Sequence, residues 1–313
     1  MKKFISKCMA LLLLIASSIA ALNYLYIKTT YWKKTVTELT EKFKDVPGGI
    51  QLANVGSSHG EVGFDYTGIP YRAFNFALSS QRHIYNYALL EQYINHFDKK
   101  AVLLIPISYF EITRIQINFT DVRAKYYRFL EKQFIESYSL SEKILFNFVP
   151  ILTAGNTINF IIKDMPLTNE PMTEAEFIDY CNKKYKGWTA TDNPGEIEAG
   201  EEGFSYNQSW VIKIIEFCYA HDIKPVLITT PITSILNNIY AVQSPGFFDT
   251  FYRFTHEILE AYPSLTYFDY SHDQRFENDF SLFQDGDHLN SLGAEKFTTI
   301  VISDLQSGGL LSF

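Results

Sequence analysis

Five short apolar runs recur at Gln51–Val55, Tyr71–Phe76, Ala101–Ile107, Pro225–Thr230 and Leu265–Tyr270, each of the length of a buried strand. Amphipathic helical patterns separate most of them. The clearest is Arg82–Phe97, with Ile84, Tyr87, Leu90 and Ile94 on one face; Asn207–His221, Phe247–Ala261 and the terminal Leu292–Leu305 follow. Parallel strands need long crossovers, so this alternation predicts a parallel sheet covered by helices on both faces. The expected fold class is α/β: a three-layer fold with a parallel five-stranded sheet, spanning 50–313, for which the order 2-1-3-4-5 of flavodoxin-like sheets is taken. At 313 residues and 47% hydrophobic content, the chain has enough apolar material for such a core.

Two segments stand outside the alternation. Met1-Lys2-Lys3-Phe4-Ile5-Ser6-Lys7 is a basic head, and Cys8–Ile27 is a nearly unbroken apolar run of membrane-spanning length. Residues 1–34 therefore read as a signal anchor with an extracytoplasmic domain beyond it. Tyr24, Tyr26, Tyr31 and Trp32 would form an interfacial belt, and secretion after cleavage near Ser18-Ile19-Ala20 is the alternative. A charged linker helix over 35–49 ends at Pro47-Gly48-Gly49. The second exception is an insertion at about 111–206, with aromatic helical stretches at Tyr126–Tyr138 and Glu142–Phe148 and a polar span from Thr189 to Gly203. It follows the third strand, so it is expected over the edge where the strands end, as a lid, a substrate groove, a contact for a membrane partner, or a plain cover. Asn118-Phe119-Thr120 and Asn207-Gln208-Ser209 fit a glycosylation pattern that chance also produces.

Charge and cysteine content narrow the function. The net charge of −8 comes without a basic cluster of the kind that tracks phosphates, so no nucleic-acid partner is expected. Cys8, Cys181 and Cys218 allow one disulfide at most, and Cys218 reads as a buried thiol on a helix.

The chemistry lies at two places far apart in the chain. Asn54-Val55-Gly56-Ser57-Ser58-His59-Gly60 follows the first strand, and a small polar residue after glycine there exposes its hydroxyl at the carboxyl edge of the sheet. Alone, it is more often a plain turn. Near the other end, Asp285-Gly286-Asp287-His288-Leu289-Asn290 precedes the last helix, and Asp285 and His288 can share one turn, carboxylate to imidazole Nδ1–H. Spacing favours Asp285 over Asp287, which is expected to point away or cap the turn. In the 2-1-3-4-5 order both loops open on one edge, so His288 would meet Ser58. Gly56-Ser57-Ser58-His59-Gly60 also matches the G-x-S-x-G elbow of α/β-hydrolases, but that elbow follows several strands. A metal reading of Asp285, Asp287, His288 and His59 lacks a recurrent ligand spacing, and no metal is expected.

On these two motifs the chain resembles the SGNH/GDSL hydrolase superfamily, in which a serine follows the first strand and D-x-x-H precedes the last helix. The resemblance makes Ser58 the nucleophile, His288 the base and Asp285 its orienting acid, puts Ser57 in the aspartate's place of Gly-Asp-Ser, and implies no cofactor. His59, beside the nucleophile, joins the candidate binding residues. In the second block Phe74-Asn75-Phe76-Ala77 would offer Asn75 and the Ala77 N–H to an oxyanion. The third block has Pro106-Ile107-Ser108-Tyr109 in place of Gly-x-Asn-Asp, leaving Ser108 or Asn75 as the substitute. These departures resemble a membrane-tethered subgroup that includes teichoic-acid D-alanylation and alginate and peptidoglycan O-acetylation proteins. The subgroup implies acyl transfer to or from a cell-envelope polysaccharide or teichoic-acid-like polymer, with a membrane-bound O-acyltransferase as partner. A carbohydrate acetyl-esterase and a silent scaffold are the alternatives.

Overall fold

The computed structural model describes residues 1–109, 111–116, 124–153, 161–162, 172–185, 196–198, 200–243 and 246–311. The chain divides into two compact units, Met1–Asp45 with Phe119–Thr168, and Val46–Asn118 with Asn169–Phe313.

In the first unit, α1 (Lys2–Lys28) is one continuous helix of 27 residues. At 1.5 Å per residue it spans about 40 Å, more than the roughly 30 Å of a bilayer's hydrocarbon. Its most apolar stretch has a mean hydropathy of 2.1 and none of it is buried, so it is long and apolar enough for a membrane anchor or a signal sequence. Short helical turns carry the chain on from Thr30 to Lys44. The unit's core gathers Tyr26, Trp32, Ala124 and Phe146. The Trp32 ring lies 5.2 Å from that of Tyr26 and 5.4 Å from that of Phe146, while Phe43 stacks on Phe129 at 4.0 Å.

The helix expected over Tyr126–Tyr138 does not form. Two 3-10 turns, Ala124–Arg128 and Lys132–Phe134, take its place. The buried residues Tyr126, Tyr127, Leu130 and Ile135 keep a helical stripe for one turn only, and Ser137 adopts a positive φ of 49°. Regular helix resumes at Leu140–Phe148, capped by Ser139.

The second unit carries the sheet. Its strands are β1 (Ile50–Asn54), β2 (Ala73–Asn75), β3 (Phe97–Pro106), β6 (Lys224–Thr229) and β7 (Thr266–Asp269), all parallel, in the order β2-β1-β3-β6-β7. Each anticipated run lies on one of these strands, and the observed order is the 2-1-3-4-5 arrangement. Leu52, Ala53, Val102–Ile105 and Val226–Ile228 are fully buried, as continuous apolar strands covered on both faces must be. The helices include α2 (Ser58–Gly63), α3 (His83–Tyr93), α5 (Glu174–Lys184), α6 (Gly200–Ala220), α7 (Ser234–Gln243), α8 (Phe247–Ala261) and α9 (Ser291–Ser307). Leu140–Phe148 of the first unit is α4.

Two details depart from expectation. The polar span before Gly203 contains β5 (Glu196–Glu198), which pairs antiparallel with β4 (Arg114–Gln116), and α6 begins at Gly200, seven residues before Asn207. Asn207 is buried, its amide donating to the carbonyls of Ile112 (3.2 Å), Arg114 (2.9 Å) and Gly203 (2.9 Å), so it is a structural residue and no glycan acceptor. Asn118 lies outside the described residues. All three cysteines are free thiols. Burial pushes the Cys218 thiol up, and burial with Asp285 nearby raises Cys181 to about 12.

Candidate active site

The turn after β1 is set by local demands on the backbone. Gly56 has a φ of +122°, and a Cβ there would lie 3.2 Å from Pro106 Cγ, so only glycine fits without strain. Its N–H donates to Asn86 Oδ1 (3.0 Å) from α3. The Asn54 amide, at the end of β1, donates to Gly60 O (2.9 Å) and to Asn75 Oδ1 (3.0 Å), tying α2 to β2. Ser58 therefore opens α2 at the carboxyl edge of the sheet, half-buried.

The loop after β7 is shaped by one carboxylate. Asp285 Oδ1 accepts the N–H groups of Asp287 (3.1 Å) and His288 (2.8 Å), an Asx-type turn. The same carboxylate faces His288 Nδ1, at 2.9 Å from Oδ1 and 3.0 Å from Oδ2. On the far side of the ring, His288 Nε2 lies 2.8 Å from Ser58 Oγ. The structure thus brings Ser58, His288 and Asp285 into one hydrogen-bonded chain. In the neutral imidazole, Nδ1–H donates to Asp285 and Nε2 accepts the serine proton, the arrangement a general base needs.

A second carboxylate shares the imidazole. Asp287 does not point away from the site: its Oδ1 lies 3.2 Å from His288 Nδ1 and its Oδ2 3.4 Å from His59 Nε2. The adjacency of Asp287 to His288 suggests solvent or a cap, but the Asx turn curls the segment back, so both acids face the ring. The His59 ring stacks on that of His288 at 4.6 Å. Burial works against the charged form of His288, yet Asp287 and then Asp285 outweigh it and raise the imidazole to about 10. Burial likewise opposes the Asp287 anion, but His288 and His59 outweigh it and hold the carboxyl well below its usual range.

Two further residues come from the region expected as an insertion. Lys184, the last residue of α5, reaches Asp285 Oδ2 at 2.8 Å, and Tyr185 donates to Asp287 Oδ1 at 2.6 Å. Burial opposes the Lys184 charge, but Asp285 outweighs it and raises the ammonium. Burial and the two aspartates push the Tyr185 phenol up, so it stays a donor. Sequence reasoning missed both. The one available signal was Gly286, where a Cβ would come within 2.7 Å of Tyr185 Cε2; a glycine between two acids marked a close approach, though not by what.

The remaining sequence candidates fall elsewhere. The donors of Asn75 and Ala77 are taken up within the protein: the Ala77 N–H donates to Asn75 Oδ1 (2.9 Å), and the Asn75 amide donates to Gly60 O (2.9 Å) and Glu61 O (3.0 Å). The neighbouring N–H groups are engaged too, Leu78 with Gly56 O and Ser79 with the Glu61 carboxylate. The second block is built as a brace between β2 and α2, which is why its donors turn inward. Ser57 and Ser108 are buried, and their hydroxyls have no hydrogen-bond partner among the described residues. Ser108 and His59 line a small pocket with Tyr109, Thr230, Leu236 and Tyr240, beyond the ends of β3 and β6. Open α/β sheets bind ligands on this edge.

His59, Asp287 and His288 offer donor atoms within 4.8 Å of one another. The two rings stack 4.6 Å apart with planes only 23° from parallel, so their in-plane lone pairs lie in separate layers, a poor arrangement for sharing one ion. The trio fits a shared carboxylate better than a metal.

No family model and no curated protein matches the chain. Among solved structures, the chain is similar to a provisionally assigned acylhydrolase of Bacteroides fragilis, at 11% identity over 88% of this chain and 97% of that one, with a TM-score of 0.38. It is also similar to a Streptococcus pneumonia protein provisionally named a platelet activating factor, at 13% identity over 95% of this chain and 99% of that one, with a TM-score of 0.41.

Proposed function

We propose that this protein is a membrane-anchored, extracytoplasmic acyl-transfer enzyme that moves an acetyl or similar acyl group to or from a cell-envelope glycopolymer through an acyl-serine. The observation that carries the reading is the continuous chain from Ser58 Oγ through His288 to Asp285. In the mechanism, His288 Nε2 takes the Ser58 proton as Oγ attacks the ester carbonyl, and Asp285 holds the imidazolium by its Nδ1–H. The oxyanion is held by the Ser58 N–H, one of the first-turn donors that a helix leaves without an intrahelical partner, and by the Ser108 hydroxyl. The collapsing intermediate expels the alcohol, which takes its proton from His288. The acceptor hydroxyl then gives its proton to His288 and attacks the acyl-serine, and collapse of that intermediate breaks the bond to Ser58 Oγ, which takes the proton back from His288.

The acceptor decides the class. A sugar hydroxyl makes the protein an O-acyltransferase, with a membrane-bound O-acyltransferase as the expected acyl supplier; water makes it a carbohydrate acetyl-esterase. The apolar helix α1 supports a bilayer setting. The test is labelling of the full chain by a fluorophosphonate and by an activated acetyl ester. Ser58 is expected to carry both labels, and Ser58→Ala to carry neither. Labelling that persists in Ser58→Ala refutes the mechanism. Partition of the acetyl ester between water and an added glycan then separates esterase from transferase.

A further inference from the structure

The first unit holds an apolar surface that its own packing does not use. Helix α4 turns Phe146 inward onto Trp32, while Leu140, Ile144 and Phe148 recur every four residues on the opposite stripe. Leu140 is 62% exposed, Ile144 49% and Phe148 73%, and Leu152 in the turn that follows is 56% exposed. Polar residues keep to another face, where Glu142 accepts from Tyr127 at 2.8 Å. An apolar stripe this regular marks an interaction surface.

What occupies it follows from Asn23, which interrupts the apolar run of α1. The Asn23 amide donates to Phe148 O (3.1 Å), and its carbonyl accepts from Ile151 N (3.2 Å). One side chain of the anchor thus meets a backbone group at the end of α4 and another in the turn that follows. Asn23 lies four residues before Ile27, the end of the run, so it sits about 6 Å inside the apolar stretch of the helix. Its hydrogen bonds hold the end of α4 at that same level. Leu22 and Leu25, exposed on either side of Asn23, continue the apolar surface of α1 alongside.

We propose that α4 and the turn after it form a second, non-spanning membrane contact, in which Leu140, Ile144, Phe148 and Leu152 enter the boundary between headgroups and outer hydrocarbon beside the end of α1. The depth fits interfacial helices, which bury an apolar face about 5–10 Å into that boundary. Asn23 is then a buried polar tie between a spanning and a non-spanning helix, satisfied where water is scarce. The inference rests on the anchor reading of α1.

The test uses the full chain in vesicles of phosphatidylcholine and phosphatidylglycerol, with Phe148→Trp or Leu140→Trp. Both positions are solvent-facing, so the new ring displaces no core. Each variant is expected to show a blue-shifted emission and, with lipids brominated high in the acyl chains, a loss of fluorescence beyond that of the parent. Bromines deep in the chains should quench less. If the chain floats with vesicles while both new tryptophans emit as in water and escape quenching, the contact is refuted and the anchor survives. If the chain does not float, both fall. A blue shift seen only in membranes that contain other proteins assigns the stripe to a protein partner and likewise overturns the proposal.

Discussion

The turn that presents Ser58 and the loop that presents His288 meet at one hydrogen bond but are held by different means. The first is fixed by residues near it in the chain: Gly56 by Asn86, and Asn54 by Gly60 and Asn75. The second is shaped by Asp285 within its own turn and is held further by residues about a hundred positions away, with Lys184 on Asp285 and Tyr185 on Asp287. The contrast separates geometry from electrostatics. The serine's place is decided by backbone shape, whereas the histidine's proton affinity is decided by the charges that surround it.

The largest effect should come from the point where the two loops join. Ser58→Ala is expected to lower turnover by roughly 10⁴-fold or more with the fold intact, read by ester hydrolysis together with circular dichroism. On the loop side, Asp285→Asn keeps the shape but loses the anion that holds Nδ1–H, and a loss of roughly 10³- to 10⁴-fold in kcat is expected. A loss no greater in Asp285→Asn than in Asp287→Asn would reverse the roles given to the two acids.

The pH profile separates them further. In the proposed mechanism the neutral imidazole is the base, and with its pKa raised to about 10 the neutral fraction grows as pH rises. The kcat/KM of the wild type should therefore climb through the alkaline range towards a limb near that value. Asp287→Asn removes the strongest influence raising the pKa, so its limb should move towards neutral pH; a limb that stays in place contradicts the shared carboxylate.

On the turn side the expected effect is on stability. Gly56→Ala places a Cβ against Pro106 at a φ of +122°, and a loss of about 1–3 kcal/mol is expected in urea denaturation. The smallest effect is Lys184→Met. It should reduce kcat a few-fold with KM unchanged, since a half-exposed ammonium contributes modestly beside a carboxylate that keeps its other partners.

The same contrast explains what the sequence made legible. The five strands could be read because buried parallel strands are short continuous apolar runs, and the two motifs because Asp285 and His288 act within one turn. The turn after β1 was readable for the same reason. Lys184 and Tyr185 were not, since nothing in their spacing refers to Asp285; only folding brings α5 to that loop. The inward turn of Ala77 and Asn75 was hidden too, because whether an amide faces substrate or braces a neighbour is settled by contacts between β2 and α2. Helix α7, whose first turn has the Thr233 hydroxyl accepting from Leu236 N at 3.3 Å, is not among the helices expected from the sequence.

The antiparallel pairing of β4 with β5 sets Arg114 beside Glu198 and Gln116 beside Glu196. Strands so paired lie about 4.8 Å apart, so the polypeptide that departs after β4 returns almost to its starting point. The residues between the two strands carry α4 and α5, so the pairing closes the base of a segment that supplies Ala124 and Phe146 to the first unit's core and Lys184 and Tyr185 to the acids. Any replacement of that segment would still have to return a cation and a phenol to the acids beside the histidine.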